Sequence, residues 1–394
     1  MRVLIVGLST RAIAQSAYEA GHDIVTLDYF GDSDQRALVE NHSLLRDYDL
    51  AYGTEALVRV GRELDAQAVV YTAGLENDPW AVADLAEGRT LLGNEPDVLC
   101  QVRNWDVLRG FFRDAGIGFA ETLLPGEEGL AEHCERWVRK PVRSGGGRDV
   151  DYWDGSALAC HQILQAYVDG VPASAAFVAD GEDSLVIGVT EQLIGREELG
   201  AAGFAWCGNM VPLELAKADR EIVWHDIATA VSRLTKHFGL RGVNGVDFVL
   251  HRCADGRPQP VVVEVNPRYT ASMELFESAY DESIFSLHVE AVKGHLPTSQ
   301  DQARWKRTDG YLGKAIVFAK RPVTMPDTGG WFGLGRHDVP HTGERIEAGH
   351  PVCTVFARGD GRRGCWSGLL EAAESVRREI GDQIGGVTWT QRSS

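Results

Sequence analysis

The chain has 394 residues, 44% of them hydrophobic and 24% charged, a length that predicts about two to three domains and room for a sizeable core. Its 57 acidic against 39 basic residues leave a formal net charge of -18, which argues against general affinity for nucleic acid or an anionic membrane and requires local cations or a metal wherever phosphate is bound. No apolar run approaches the ~18 residues of a membrane span. The seven cysteines, Cys100, Cys134, Cys160, Cys207, Cys253, Cys353 and Cys365, contain no CxxC pair and no zinc spacing, which fits reduced thiols in a cytoplasm.

Met1 to Gly7 carries too short an apolar stretch for a signal peptide and reads as a buried first strand. The amphipathic stretch from Ser9 to Ala20, the strand HDIVTLD, and AQAVVYTAG followed by PWAVADLA continue a βαβ pattern. This pattern predicts a parallel sheet with helices on its faces, over residues 1–101. Asp28, about twenty residues after Gly7, invites a dinucleotide reading, and an NAD(P)-dependent oxidoreductase is one alternative function. However, Gly7-Leu8-Ser9-Thr10-Arg11-Ala12 has only one of the three glycines that the fingerprint needs.

Residues 102–298 form the next expected unit, with a smaller lobe over about 105–168. A helix is expected from Trp105 to Ala115 and a strand over Arg136–Pro141. A further helix and strand are expected over 156–180, a strand over 184–194, a long helix over 219–238 and a strand pair at 245–250 and 261–266. Residues 299–394, with the β-like runs GKAIVFA and HPVCTVFA, read as a small β-rich C-terminal module. The fold class is therefore α/β. His337, His341 and His350 match no zinc spacing and read as surface histidines.

Chemistry concentrates in the strand pair. Asp255-Gly256 is a strong two-residue hairpin signal. Closing the hairpin there places Asp247 opposite Glu264, on one face and with Cβ atoms about 4.5 to 5.5 Å apart. Like charges so placed call for a cation. Alternation adds Asn266 as a third oxygen and Arg268 as a fixed cation, a hard-oxygen set suited to Mg²⁺, with Mn²⁺ as an alternative. Pro258 and Pro260 cannot donate to a ladder and mark where a bulge or wider loop would enter. A second constellation is Lys140-Pro141 followed by Arg143 and the Gly145-Gly146-Gly147 loop, whose backbone amides can wrap phosphate oxygens without Cβ obstruction.

In this order the motifs resemble the ATP-grasp superfamily: an α/β first domain, Lys140-Pro141, the SGGGR loop, the segment Gln165 to Gly170, then Asp247 and EVNPR. The resemblance implies a Rossmann-like sheet domain followed by a two-lobed ATP-grasp domain. It also implies ATP and Mg²⁺ as cofactors, phosphate contacts from Lys140, and adenine contacts from Gln165 to Val168, with Gln192 a weaker candidate at the nucleotide pocket. Asp247, Glu264 and Asn266 would be metal ligands, and Arg268 would hold an acyl phosphate or its carboxylate. Two departures stand out: Trp105 occupies a frequent lysine position, for which Arg103 is a neighbouring substitute, and Gln165 replaces a frequent glutamate.

STRAIAQSAYEAGH, GLENDP, FAWCGNMVPL and NPRYTASMELFE further resemble carboxylate-amine ligases of the tyramine-glutamate ligase type. The implied reaction joins a small-molecule carboxylate to an amine through an acyl phosphate, in cofactor or amino-acid-derived metabolite synthesis. A bicarbonate-activating carboxylase is the alternative within the superfamily. Ser9, Arg11, Glu76 and Asn77, at expected strand ends, are candidates to bind the second substrate. A homo-oligomer is compatible with the sequence.

Overall fold

A computed structural model describes residues 1–131, 136–305 and 309–382. Cys134 and the C-terminal stretch 383–394 lie outside the described residues. Val3–Val6 (β1), Ile24–Asp28 (β2), Glu40–Ser43 (β3), Ala68–Tyr71 (β4) and Thr90–Leu91 (β5) form a parallel sheet in the order β3-β2-β1-β4-β5. The strands β1, β2 and β4 are buried throughout because helices cover both faces, which is why they read as continuous apolar runs.

The turn after β1 serves packing. A Cβ on Gly7 would lie 1.8 Å from Thr72 Oγ1, so glycine is required for the approach of the loop after β4. Asp28 is fully buried and accepts from Thr10 Oγ1 at 2.7 Å and from the Gly31 amide at 2.9 Å. Burial raises its pKa above the ordinary value. It is an internal tie between helix and strand, which removes the ribose-binding role that a dinucleotide reading needs.

Thr122–Leu123 (β6), Trp137–Pro141 (β7), Asp151–Tyr152 (β8) and Gln162–Ala166 (β9) make a small antiparallel sheet, ordered β6-β9-β7-β8. The helix expected just after residue 156 is absent from that segment. Residues 153–159 are irregular with a bend at Gly155, and Gln162–Ala166 pairs with β7 and β6, a long-range pairing that overrides local periodicity.

Val171–Asp180 (β10), Ser184–Ile194 (β11), Trp206–Val211 (β12), Arg241–Arg252 (β13), Pro258–Asn266 (β14) and Tyr311–Phe318 (β15) belong to an eight-stranded antiparallel sheet. Val323–Thr324 (β16) pairs only with Arg345–Ile346 (β18), whereas Arg336–His337 (β17) and Pro351–Gly359 (β19) complete the large sheet, in the order β14-β13-β10-β11-β12-β15-β19-β17. The segment read as a separate C-terminal module therefore extends the central sheet through β12–β15 pairing and adds the helix Arg362–Glu379. Helix Lys217–Phe238 buries Val223, Ile227, Ala230, Val231 and Leu234 at helical spacing against the opposite end of this sheet.

Between the first domain and the C-terminal strands lies a buried ionic cluster. Arg11, 1% exposed, donates through Nε to Asp338 Oδ1 at 2.9 Å and through Nη2 to Glu274 Oε2 at 3.1 Å. Lys314 Nζ donates to the same Glu274 carboxylate at 2.5 Å. Burial opposes ionisation of Glu274, but the two cations hold its carboxyl well below the usual range. Glu277, one helical turn on, accepts from the Ile284 amide at 3.1 Å, and burial, with the Glu274 charge adding to it, pushes its pKa up to about 8.

Because Glu277 titrates higher in the fold than in the unfolded chain, the folded state holds an extra proton between those two values, and stability falls as pH rises through that window. Replacing it with the neutral isostere, Glu277→Gln, is expected to raise the thermal midpoint by about 2 °C or more near pH ~9. The difference should vanish near pH ~5, as read by thermal denaturation across pH.

Candidate active site

Strands β13 and β14 pair so that Asp247 faces Glu264 and Gly245 faces Asn266. The register reaches that arrangement through two offsets. The hairpin closes on a three-residue loop, Ala254-Asp255-Gly256, with Cys253 N–H on Arg257 O at 3.0 Å and Gly256 at φ 83°. From the resulting Arg252–Pro258 pair alone, Asp247 would face Val263. A β-bulge at Val263, between the pairs Phe248–Val262 and Asp247–Glu264, restores the opposition. β14 is the sheet edge, where Pro258 and Pro260 are tolerated.

The bulge also turns the Val263 carbonyl out of the ladder. Gln165 Nε2 donates to it at 3.2 Å and Lys140 Nζ lies 3.4 Å away. Gln165 is buried, and its amide also reaches Thr122 Oγ1 at 3.2 Å, so its side chain faces the interior. The Ala166 and Tyr167 amides are taken up by Glu121 and Arg136 carbonyls, and Val168 follows between β9 and β10.

Three cations surround the carboxylate pair. Arg103 donates from Nη1 to Glu264 Oε1 at 2.9 Å and to Val265 O at 3.0 Å. Lys140 stands 5.3 Å from the centroid of the Trp105 ring, so the tryptophan at the frequent lysine position packs against the lysine on the facing strand. Arg268 Nη2 donates to Asn266 Oδ1 at 3.2 Å. Burial works against ionisation of both acids. Arg103 and Lys140 nevertheless keep Glu264 below its ordinary value, whereas Asp247 is driven up to about 7 by burial and by the Glu264 charge. Lys140 is itself lowered by burial.

Asn266, expected as a third oxygen ligand, bridges instead: its Nδ2 donates to Asp247 Oδ2 at 3.0 Å while its Oδ1 faces Arg268. Gln192 Nε2 donates to the other Asp247 oxygen at 2.9 Å. Among the described residues no group of three His, Cys, Asp or Glu side chains is arranged to hold a metal ion by itself. A facing Asp and Glu whose mutual repulsion a cation would relieve suits Mg²⁺, which takes few protein carboxylates and fills its shell from substrate phosphates and water. The residues present therefore fit a nucleotide-borne metal.

The glycine loop is pinned. Trp206 N–H donates to Gly146 O at 2.9 Å, and a Cβ on Gly147 (φ 73°) would lie 1.8 Å from Phe204 O. Gly145 has open space around its Cβ position. Arg143, exposed, reaches Asp78 Oδ1 at 2.8 Å.

Of the residues expected to meet a second substrate, Ser9 is exposed, while Glu76 and Asn77 face the arginines: Arg268 Nε to Glu76 Oε1 is 2.6 Å and Arg103 Nε to Asn77 Oδ1 is 3.0 Å. Arg11 is a correction. Its guanidinium is enclosed by Glu274, Asp338, Asp34 and His337, because the first turn of its helix faces the C-terminal strands. His337, beside it and expected at the surface, is half-buried and lowered to about 4, so it stays neutral and part of that cluster, while His341 meets Gly31 O at 2.8 Å.

Sequence reasoning missed a polar row that crosses the large sheet from Asp247. Ser174 faces Asp247 and bonds Thr190 Oγ1 at 2.9 Å, Asn209 Nδ2 bonds the same hydroxyl at 2.9 Å, and Lys314 faces Asn209. The signal was a polar residue such as Ser174, Asn209 or Lys314 inside an otherwise apolar run, where burial demands a partner. A cavity of about 670 Å³ opens beside the far end of this row, with Glu274, Glu277 and His337 in its wall, and includes none of the residues around Asp247. Its acids Glu274 and Glu277 lie on one helix and are not opposed across two strands as Asp247 and Glu264 are.

Residues 121–272 match the family model of the ATP-grasp domain, and the chain carries an ATP-grasp domain. An uncharacterised protein of Methanocaldococcus jannaschii is 21% identical over 96% of this chain and 94% of its own length. Among solved structures, the biotin carboxylase of Campylobacter jejuni, in complex with an ATP ligand, superposes with a TM-score of 0.72 at 13% identity, over 96% of this chain and 91% of that one. An L-amino acid ligase of Bacillus licheniformis gives 0.68 at 15% identity, over 95% and 97%. Against the pyruvate carboxylase of Rhizobium etli the TM-score is 0.69 at 16% identity, and this chain, 96% covered, spans 37% of that longer one. At these identities the likeness is one of fold. Among the described residues no helix is long and apolar enough to cross a membrane.

Gly147→Ala is expected to unseat the loop from Phe204 and to weaken Mg-ATP binding by about tenfold, roughly 1.4 kcal/mol. Gly145→Ala, with open space around it, should cost distinctly less when both are titrated calorimetrically.

Proposed function

We propose that the protein is an ATP-dependent ligase that activates a small-molecule carboxylate as an acyl phosphate and passes it to an amine, releasing ADP and phosphate. The observation that carries this reading is the opposed Asp247–Glu264 pair ringed by Arg103, Lys140 and Arg268. Such a site neutralises and orients a transferring phosphoryl group without a protein nucleophile. The kinship of fold with an L-amino acid ligase supports the same class.

In this reading Asp247 and Glu264 hold Mg²⁺, joined by Asn266 once its amide presents Oδ1. The metal would supply charge neutralisation between nucleotide phosphates. Lys140, with Arg143 beside the loop, neutralises phosphate, and the Gly145–Gly147 backbone closes over it. Gln165 to Val168 meets the adenine through backbone. Arg268 is the catalytic residue that holds the acyl phosphate or its parent carboxylate. Residues 1–101, 102–298 and 299–394 are taken as the functional divisions of the chain, with the last completing the central sheet.

The test is ADP release against a panel of carboxylic acids and amines, with bicarbonate alone as a further arm. A productive acid–amine pair is expected, with Glu264→Gln lowering its turnover by about 100-fold or more, in the range of lost transition-state electrostatics. Equal ADP release by wild type and Glu264→Gln would sink the metal assignment. Bicarbonate-dependent release with no amine would move the reading to a carboxylase.

A further inference from the structure

One short turn of the first domain reaches three arginines around the site. Leu75–Asn77 is a single 3-10 turn after β4, preceded by Gly74 at φ 104° and followed by Asp78. Three consecutive side chains of this segment take one arginine each: Glu76 takes Arg268, Asn77 takes Arg103 and Asp78 takes Arg143. The turn is itself anchored, since Gly74 N–H donates to Glu76 Oε2 at 2.5 Å and Thr54 Oγ1 donates to Asp78 Oδ2 at 2.8 Å.

The same domain clamps the backbone beside Arg268, where Tyr71 Oη and Asn94 Nδ2 both donate to Pro267 O at 3.0 Å. Side-chain exposure is 10% for Arg268 and 2% for Glu76, so the ion pair is shielded from water and strongly directional.

A guanidinium has five N–H donors. Arg268 spends one on Glu76 from Nε, one on Tyr269 O from Nη1 at 3.1 Å and one on Asn266 from Nη2. Five minus three leaves two, one on each Nη, with no partner among the described residues. Each of these N–H groups can donate to an oxygen of a carboxylate or phosphate.

We propose that Glu76, with Asn77 beside it, is a positioning residue. It holds Arg268 from the Nε side, so that the guanidinium plane is fixed and its two remaining N–H groups present an anion seat to the reacting phosphoryl or carboxylate group. This rests on the reading of Arg268 given above and replaces the second-substrate role expected for Glu76 and Asn77. The rival account makes Glu76 a competitor that occupies Arg268 until an anion displaces it. The two accounts predict opposite signs. Removing a competitor tightens anion binding, whereas removing a positioning group weakens it, even though a negative charge has been taken away.

The experiment titrates inorganic phosphate into the full chain saturated with Mg-ADP. Glu76→Gln is expected to weaken phosphate binding by about tenfold while Mg-ADP affinity stays within about twofold. In an Arg268→Lys background the same change should have almost no further effect, a coupling that general destabilisation would not produce. Unchanged or tighter phosphate binding in Glu76→Gln, or an equal loss in both backgrounds, overturns the proposal. If Glu76→Gln also loses Mg-ADP, Glu76→Asp, which keeps the charge but withdraws it by one methylene, carries the same expectation, and unchanged phosphate affinity there overturns it. A wild type that takes up no phosphate, or an Arg268→Lys variant that loses none, overturns the anion-holding role of Arg268 itself, whatever Glu76 does.

Discussion

Two carboxylates set opposite each other at a sheet edge are a standing electrostatic cost, and much of the surrounding structure offsets it. Asp247 and Glu264 face one another across β13 and β14, and burial raises the cost of charging either. Arg103 answers Glu264 directly, Lys140 arrives from the facing small sheet, and Arg268 is linked through the Asn266 amide. The groups that quiet the pair come from the first domain's boundary, the small sheet and the strand pair itself. The site exists only where those three parts meet.

The bulge at Val263 is what lets one strand serve two purposes. It corrects the register so that Glu264 meets Asp247, and it frees a carbonyl that receives Gln165 and Lys140 from the small sheet. Beyond Asp247 the polar row of Ser174, Thr190, Asn209 and Lys314 runs across four further strands and ends in the Glu274–Arg11 cluster. The candidate site and the seam between the first domain and the C-terminal strands are thus joined by paired polar groups inside an otherwise apolar sheet. The first domain in turn contributes the turn that meets the arginines.

Legibility differed by the range of the interaction involved. The helix Trp105–Ala115 was plain in the sequence, since Asn104 caps it and Gly116, at φ 65°, ends it, and both are local effects. The opposition of Asp247 and Glu264 was also readable, yet for an incomplete reason. The loop has three residues where two were expected, and the bulge compensates; an offset of one residue at the turn was cancelled by another at Val263, three residues after Pro260. Arg11 was misread because a helix-start arginine after a strand looks like a ligand group until its surroundings are known. The helix expected after residue 156 failed because β7 needed a partner, and the C-terminal strands looked separate because β12 and β15 lie about a hundred residues apart along the chain.

By itself the sequence determined the elements whose causes are local: buried parallel strands, the capped helices, a glycine-rich turn after Lys140, and a strand pair bearing two acids. Period and turn chemistry act over a few residues and leave their marks in order. Only the tertiary structure decided what those acids face, which groups Arg268 engages, and that Glu76, Asn77 and Asp78 each meet an arginine far along the chain. Those outcomes depend on long-range pairing and on burial, which set the charge state and the partner of each group and have no local signature in sequence.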